Sequence, residues 1–223
     1  MQKQKINYLT LQSNYDQIEL GLFADQQLIS EAQISKFTAS SELVPTIKTS
    51  LEQSLLKLAD LNFICANLGP APFTTLRTTI VTVNGLGYAS RIPLVGVNGL
   101  EVFAKNALPE VASLVIILNA YSKSVYYAIR SGKEVTYGWQ MLDQFLFMLT
   151  NKFGLDPVII IGLGISNFEL ELATLPSNFT INKNYPGYPD LKLIAQTGLE
   201  QFQNNLISSE LTPLYLKQAE PLK

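Results

Sequence analysis

The sequence predicts an α/β fold built from two similar halves, and three observations lead to this prediction. Short, alternating strand-like runs open each half, within residues 6–34 and again within 113–137. Segments follow in which apolar residues recur every three or four positions, as in amphipathic helices. Pro109-Glu110 separates the two series. We therefore expect two lobes, residues 1–107 and 108–223, the second of them reduced.

Composition limits the classes of protein to which the chain can belong. Its 223 residues are 47% hydrophobic and 15% charged, which is enough to bury a core without disulfides or metals. The net charge of −2 predicts no large basic surface for nucleic acid. Because the chain has no histidine and one cysteine, His-containing catalytic triads, the common zinc sites and an internal disulfide are excluded. Cys65 is expected to be a small buried residue.

No targeting or membrane segment is expected. The first eight residues lack a long apolar run, and the strongest apolar runs, 114–118 and 158–165, are far shorter than the ~20 residues of a membrane helix. We expect a cytoplasmic protein that has no cofactor and no metal.

The first half is predicted to start with a meander of three antiparallel strands at 6–11, 18–23 and 28–34. A helix over residues 41–58 follows, with Ser40 or Ser41 as its cap and Pro45 tolerated near its start. The prediction rests on one apolar stripe, which consists of Leu43, Ile47, Leu51, Leu55 and Leu58.

Residues 73–89 are predicted to be a second helix, although their composition argues against it. Threonines and internal glycines are poor helix formers. Apolar residues nevertheless follow a helical period from Phe73 to Val83, and Thr74 is a candidate cap. Strands at 62–68 and 92–97 flank this helix. Another side of the helix is small enough for a second helix to approach closely, and it consists of Thr75, Thr78, Thr82 and Gly85.

The second half is predicted to repeat this order in shortened form. A helix at 100–108 leads into strands at 113–119, 125–129 and 134–137, with a hairpin turn at Ser131-Gly132-Lys133. A helix at 141–150 and a strand at 157–161 come next. Residues 176–189 are predicted to be a loop, 191–206 a helix, and 210–223 mostly irregular.

Several short motifs could carry chemistry, but each has a simpler structural interpretation. The turn Gly69-Pro-Ala-Pro72 precedes a helix, where an anion could sit, yet its prolines have no N–H to offer. Gly162-Leu-Gly164 is too short to define a nucleotide-binding turn. Exposed turn charges account for Asp16 and Glu19, a hairpin turn accounts for Lys123, and packing accounts for Trp139 and its neighbouring aromatic residues. Arg77 could equally pair with a carboxylate at an interface or face solvent.

Three motifs follow one another in the first half, and they are Gly69-Pro-Ala-Pro-Phe-Thr-Thr-Leu-Arg77, Val83-Asn-Gly-Leu-Gly-Tyr-Ala89 and Ile92-Pro-Leu-Val-Gly-Val97. They are accompanied by Leu100-Glu101, by Ser41-Glu-Leu-Val-Pro45 and by the closing Glu210-Leu-Thr-Pro-Leu-Tyr-Leu-Lys217. With these motifs the sequence resembles the bacterial TsaB (YeaZ) family. The resemblance is firm over residues 38–101 and holds in order and length elsewhere.

The resemblance implies an actin-like/Hsp70/sugar-kinase (ASKHA, ribonuclease H-like) fold in two lobes. It also implies a part in making threonylcarbamoyladenosine in tRNA, as the non-catalytic partner of a TsaD-like subunit that holds the metal and transfers the group. A TsaE-like ATPase would join that complex, tRNA would be bound only indirectly, and a homodimer could form when the partner is absent.

This chain departs from the family at its phosphate-binding positions. Gln12-Ser13-Asn14 stands where the family has Asp-Thr-Ser, and Asn119-Ala120-Tyr121 where it has Asp-Ala-Arg. We therefore expect a scaffold subunit without nucleotide, with an ATP-dependent or peptidase-like enzyme as the alternative. The expected interface lies on the helices 41–58 and 73–89, and its residues are Leu43, Ile47, Leu51, Thr75, Thr78, Thr82 and Gly85.

Overall fold

The computed structural model describes residues 5–217, which form two five-stranded β-sheets with helices packed on them. The strands are β1 (Asn7–Ser13), β2 (Gln17–Ala24), β3 (Gln27–Ser35), β4 (Phe63–Asn67), β5 (Leu94–Val97), β6 (Ser113–Asn119), β7 (Ser124–Ser131), β8 (Glu134–Met141), β9 (Val158–Ile161) and β10 (Phe179–Ile181). The helices are α1 (Ala39–Gln53), α2 (Phe73–Ser90), α3 (Gly99–Asn106), α4 (Leu142–Phe153), α5 (Glu169–Leu172) and α6 (Leu191–Gln203).

Both sheets have the same connectivity. Their strand orders are β3-β2-β1-β4-β5 and β10-β9-β6-β7-β8. In each sheet an antiparallel meander of three strands is followed by two strands that run parallel to its first strand. The predicted duplication of one α/β arrangement is therefore confirmed at the level of topology.

Contacts divide the chain into two compact units that differ from the predicted lobes. The first unit runs to Gly99 and also contains Asp190–Leu214. The second unit comprises Leu100–Pro189 and the described residues from Tyr215 onward. The predicted boundary between residues 107 and 108 thus separates α3 from its unit, and it assigns α6 to the second half, although α6 packs on β4 and β5 of the first.

Most elements lie where the sequence predicts them, with three corrections. The loop expected at 176–189 contains β10, so the second sheet keeps all five strands, and its reduction is confined to the short β9 and β10. The short helix α5 was not predicted. The caps expected at Ser40 or Ser41 and at Thr74 are wrong, because α1 follows Thr38 and α2 follows Pro72, neither with a side-chain cap.

Helix α1 is shorter than predicted, and this removes the end of its apolar stripe. The helix ends at Gln53, and Leu55 adopts a left-handed backbone with φ of 57°. The side chain of Leu55 is 93% exposed as a result. The helical period alone therefore extended the stripe by one turn too many.

One face of the first sheet is covered by α6 through an unusually close contact. The aromatic rings of Phe23, Tyr8, Phe63 and Phe202 form a stacked row, with centroid separations of 5.3, 4.4 and 4.5 Å. Beside this row a Cβ on Gly198 of α6 would collide with the Cys65 sulfur. The absence of a side chain at position 198 therefore lets the helix lie against the sheet.

The segment after α6 is fastened to the first unit at successive points. Leu94 and Ser208 exchange two main-chain hydrogen bonds of 2.9 and 2.8 Å. The side-chain amide of Asn84 on α2 donates to the carbonyl of Leu211 and accepts from its N–H, both at 2.9 Å. The resemblance-bearing tail is therefore part of the first unit as far as Leu214.

A buried arginine organises the second unit. Arg130 on β7 is 5% exposed, and its guanidinium donates to the carbonyl oxygens of Ala104, Ala107, Leu108 and Val111 at 2.9, 2.7, 2.5 and 2.9 Å. These carbonyls belong to the end of α3 and the segment that joins it to β6. The positive charge lies at the negative end of the helix dipole, which favours it there.

Within residues 5–217, no helix has the length and apolar character needed to cross a bilayer.

We predict that Gly198→Ala destabilises the protein although alanine is the better helix former. The added methyl group displaces Cys65 or tilts α6, and a cost of about 2 kcal/mol in the free energy of unfolding is expected. Gly85→Ala on α2 is the matched control, because its Cβ would meet no atom within 4 Å. That variant should be stabilised by up to about 1 kcal/mol. Urea unfolding of both variants checks this prediction. The double variant Cys65→Ala/Gly198→Ala, in which the thiol is removed, should recover stability. Equal effects at both glycines would contradict the prediction.

We predict that Arg130→Met lowers the free energy of unfolding by about 3 kcal/mol or more, because four carbonyl groups lose the guanidinium donor and only that of Leu108 keeps another, the Val111 N–H. Arg130→Lys should recover part of this loss, since an ammonium group offers three donors but not the planar fork of arginine. Lys133→Met, at an exposed position in the following turn, is the control. Thermal unfolding measures the effect. If all three variants had the same melting temperature, the guanidinium contacts would not stabilise the unit.

Candidate functional site

The carboxyl ends of β1 and β4 form the edge of the first sheet where α/β proteins of this topology commonly bind ligands. In this chain, the edge is filled by buried amide and hydroxyl side chains. Gln12, Ser13 and Asn67 are each about 1% exposed. The Ser13 hydroxyl is bonded to the Thr79 hydroxyl at 2.7 Å and to the Thr75 carbonyl at 3.1 Å, which ties β1 to α2.

Asn67 is the centre of this edge. Its Oδ1 accepts hydrogen bonds from the N–H groups of Gly69 and Gly99 at 2.9 and 3.1 Å, and its Nδ2 donates to Gln12 at 2.9 Å. A Cβ on Gly99 would collide with the Asn67 side chain. One N–H group of the β4–α2 turn and one at the start of α3, which could otherwise face a ligand, are therefore bonded to protein.

The polar network continues to Glu19 on β2. Its carboxylate accepts hydrogen bonds from the side-chain amides of Gln12, Asn14 and Gln17 at 2.9, 3.0 and 3.3 Å. Glu19 is thus half-buried and bonded, and not the exposed turn charge that the sequence predicts. A carboxylate at this point disfavours the approach of phosphate by charge repulsion.

The glycine pair Gly162 and Gly164 has a structural explanation. Gly162 has φ of 119°, and a Cβ there would collide with the carbonyl oxygen of Ile117 on β6. A Cβ on Gly164 would lie 3.1 Å from the same main chain. Close approach to β6 therefore accounts for both glycines. This agrees with the expectation that the motif is too short to define a nucleotide-binding turn.

The lone cysteine is a core residue and not a nucleophile. Cys65 is completely buried, and burial raises the pKa of its thiol to about 12, with a hydrogen bond to Thr10 acting in the opposite direction. The thiol is therefore protonated at neutral pH, where a reactive cysteine needs its thiolate. Among residues 5–217, no three His, Cys, Asp or Glu side chains are grouped as metal ligands would be.

The helix pair α1 and α2 carries the predicted interface, but part of that prediction is corrected. Leu43, Ile47 and Leu51 point into the core of their own unit, with exposures of 1, 3 and 6%. Thr75 is also buried, at 3%, and bonds to the Pro72 carbonyl. Leu43 and Thr75 hold the helices onto the sheet and present no surface, whereas Ile47 and Leu51 also line a groove between α1 and α2.

Of the predicted interface residues, Thr78, Thr82 and Gly85 of α2 reach the surface. Thr78 and Thr82 are half-buried, whereas Gly85 is exposed with open space around it. An outward stripe adjoins these three residues at helical spacing, and the sequence analysis did not single it out as a surface. It consists of Phe73, Arg77, Val81, Gly85 and Tyr88.

The outward stripe of α2 exposes more apolar side-chain surface than the solvent-facing side of a helix usually does. Val81 is 69% and Tyr88 is 88% exposed, and the Arg77 guanidinium lies over the Phe73 ring at 4.8 Å. Val44 on α1 is 54% exposed and borders a groove of about 310 Å³ whose far side is Leu86 of α2. Lys48, Glu52 and Lys57 lie at the rim of this groove. The two helices together present an apolar surface with a charged border.

Comparison with known proteins identifies relatives for this arrangement. The model of the family described as "TsaD: tRNA N6-adenosine threonylcarbamoyltransferase" matches residues 33–146, about half of the chain. Two proteins named "tRNA threonylcarbamoyladenosine biosynthesis protein TsaB", from Buchnera aphidicola of Acyrthosiphon pisum and of Schizaphis graminum, are 23 and 24% identical over 122 and 121 residues. These matches cover 54 and 53% of this chain and 55 and 58% of the relatives, so the chain spans about half the length of the curated relatives it matches.

Solved structures share the fold. A Pseudomonas aeruginosa protein described by its similarity to peptidase YEAZ has a TM-score of 0.72 at 16% identity, and YeaZ from the same organism has 0.69 at 17%. Each comparison covers 95% of this chain and 100% of the other. Lmo2764 from Listeria monocytogenes, a candidate N-acetylmannosamine kinase, has a TM-score of 0.50 at 10% identity, covering 89% of this chain and 100% of that one.

The repeated sheet topology and these neighbours define an actin-like (ASKHA) α/β protein. At the carboxyl end of its β1, the Gln12 amide bonds to the Asn67 amide and to the Glu19 carboxylate. The chain belongs to the family that the matching model describes, and it is similar to TsaB (YeaZ) proteins.

We predict that Asn67→Ala lowers the free energy of unfolding by about 2–4 kcal/mol, because two N–H groups and the Gln12 side chain lose their partner in a buried place. Asn67→Asp should recover only part of this loss, since it keeps the acceptor but loses the donor to Gln12 and buries a negative charge beside the Gln12 oxygen. Asn204→Ala, at an exposed position just after α6, serves as the control. Chemical unfolding distinguishes them, and a fully stable Asn67→Ala protein would contradict the central place given to this amide.

Proposed function

We propose that this chain is a non-catalytic scaffold subunit in the formation of threonylcarbamoyladenosine in tRNA, and that it acts by binding a TsaD-like catalytic subunit. The names of its relatives support the pathway. The observation that carries the scaffold role is the exposed apolar stripe on α2 beside the α1 groove. Such a contiguous apolar patch on an otherwise well-packed unit is typical of a protein–protein interface.

Docking through this surface is physically favourable. Burial of a side chain as large as Val81 or Tyr88 contributes about 1.5–3 kcal/mol. Gly85 leaves a notch between them in which another helix can approach closely, with Thr78 and Thr82 on its flank. The charged residues around the groove fit the usual pattern of an apolar centre with a polar border. The interface that we propose is therefore centred on Val81, Gly85 and Tyr88.

The chemistry of the chain supports a non-catalytic role. The edge where the fold binds phosphate is filled by the network of Asn67, Gln12 and Glu19. The chain contains no histidine, and its one thiol is buried and protonated. The alternative is an ATP-dependent or peptidase-like enzyme, and of the residue types that such an enzyme could use, histidine is absent from the sequence. We propose that the partner supplies metal and transfer chemistry.

The rest of the assembly follows from the same role. A TsaE-like ATPase would join through the complex, and tRNA would be held mainly by the partner, since the net charge of −2 gives this chain no basic surface of its own. The protein would act in the cytoplasm, where tRNA is modified. Without its partner, the α1–α2 surface could also bind a second copy.

We predict that Gly85→Arg weakens binding to the TsaD-like protein of the same organism by about 100-fold or more, because a long charged side chain fills the notch. Val81→Ala and Tyr88→Ala should each weaken binding by about 3- to 30-fold through lost apolar burial. Leu155→Arg is the matched control, since Leu155 is 91% exposed in the second unit. Titration calorimetry gives the affinities, and circular dichroism confirms that the variants are folded.

Two results would reject this proposal. One is a folded Gly85→Arg protein that binds the partner with wild-type affinity. The other is ATP hydrolysis or peptide cleavage by the pure chain that a point substitution in it abolishes, which would establish the enzymatic alternative.

A further inference from the structure

Four strands lie at the edges of the two sheets, and three of them are protected against pairing with another strand. In β3 the register with β2 shifts, so that Ile29 is an extra residue, and the exposed Glu31 follows it. The edge of β5 is bonded to Ser208. Strand β10 has only three residues. Bulges, charges, cover and short length are the usual means by which proteins prevent edge-to-edge association.

Strand β8, the fourth edge, has none of these protections. Its eight residues pair one-to-one with β7 without a register shift. The strand contains no proline, and its only charge is at its first residue, Glu134. Among residues 5–217, no main-chain group of β8 is hydrogen-bonded to a strand other than β7. A strand of this length and composition is open to pairing on its free side.

The direction of the main-chain groups of β8 can be determined. Leu142, just beyond the strand, donates its N–H to Lys123 at 2.9 Å. Because hydrogen-bonded pairs alternate along an antiparallel ladder, the even-numbered residues of β8 face β7. The hairpin closes at Ser131 and Glu134 around a two-residue turn, which gives the same parity. The free N–H and C=O groups therefore belong to Val135, Tyr137, Trp139 and Met141.

We infer that β8 pairs antiparallel with β8 of a second copy of this chain, to give a closed two-fold dimer with one continuous sheet. Outward-facing residues must lie opposite outward-facing residues, which excludes half of all registers. The register centred on the strand places Gly138 opposite Gly138. It sets Tyr137 opposite Trp139 of the second copy, and Val135 opposite Met141, with about eight main-chain hydrogen bonds.

Side chains favour this register. Tyr137 and Met141 are 38 and 36% exposed, so the pairing would cover apolar surface as well as main chain. Aromatic pairs opposite each other on adjacent strands stabilise sheets. Gly138 would lie at the two-fold axis. The Tyr127 ring occupies the place of the missing side chain, since a Cβ on Gly138 would lie 2.9 Å from the Tyr127 hydroxyl.

Charge complementarity supports a second copy as the occupant. The same register places Lys133, in the turn before β8, opposite Asp143, at the start of α4, of the other copy. Both side chains are exposed, and neither is in an ion pair among the described residues. Two-fold symmetry forms this contact twice. The pairing is isologous and leaves no free β8 edge, so it ends at a dimer.

Sedimentation velocity over about 1–100 µM of the whole chain tests the inference, and the mass should rise from 24.7 kDa towards twice that value. Trp139 is the only tryptophan, so its fluorescence should change over the same concentration range. Tyr137→Pro should abolish the dimer, because it removes an outward N–H while the ladder to β7 remains. Tyr137→Ala, which keeps that N–H, should weaken the dimer less.

Charge reversal provides a test that leaves the strand intact. Lys133→Glu and Asp143→Lys should each weaken the dimer by about 3- to 10-fold, and the double variant should recover it. Gly85→Arg should leave this dimer unchanged, which separates it from association through the α1–α2 surface. A monomer at every concentration would overturn the inference. So would a dimer that Gly85→Arg abolishes, or one that Tyr137→Pro and the charge reversals leave unchanged.

Discussion

The hydrogen bonds of one buried amide, that of Asn67, fix the part of the molecule on which the rest depends. The side chain joins the end of β4 to the turn before α2, to the start of α3 and to Gln12 on β1. Asn67 is almost completely buried, so its amide group cannot hydrogen-bond to water. These bonds to protein groups therefore satisfy its donor and its acceptor. The start of α2 is set by this arrangement, and so is the direction in which its outer face points.

The same amide occupies groups that bind phosphate in other proteins with helix starts at a sheet edge. In such folds, main-chain N–H groups at helix starts receive phosphate. Here Asn67 occupies the N–H groups of Gly69 and Gly99, and Glu19 binds the amides around Gln12. These bonds leave fewer N–H groups for a phosphate at this edge. The apolar outer face of α2 is the feature on which our proposal of a protein partner rests.

The sequence was sufficient to predict most of the elements in their order, because apolar spacing survives poor local propensity. Helix α2 was found in spite of its threonines, since Leu76, Ile80 and Val83 keep a helical period that burial on the sheet enforces. Strand β10 was missed because three residues between prolines and asparagines leave no period to read. The helix of residues 41–58 was extended too far because Leu55 continues the period into a left-handed turn.

The interface could be predicted only in part, because a helical period locates a stripe without saying which way it faces. Leu43 and Thr75 are buried. Val81 and Tyr88 are exposed, and they continue the three- or four-residue spacing of Arg77 and Gly85 along the helix. Exposed apolar residues at that spacing were a usable signal. The place of Asn67 gave a weaker one: an amide that ends an apolar run just before a glycine. Which N–H groups it binds depends on residues distant in sequence, and no local pattern contains that information.

The return of α6 to the first unit has a consequence for how the chain emerges during synthesis. The aromatic row of Phe23, Tyr8 and Phe63 is complete only when Phe202 has been made. The second unit, in contrast, has most of its residues between Leu100 and Pro189 and needs nothing beyond them for its sheet. At about 5–20 residues per second, the first sheet waits roughly 5–20 s for α6 after its last strand is made. During that time the aromatic face of the first sheet remains uncovered on the nascent chain. The half that is synthesised first is therefore the last to complete its fold.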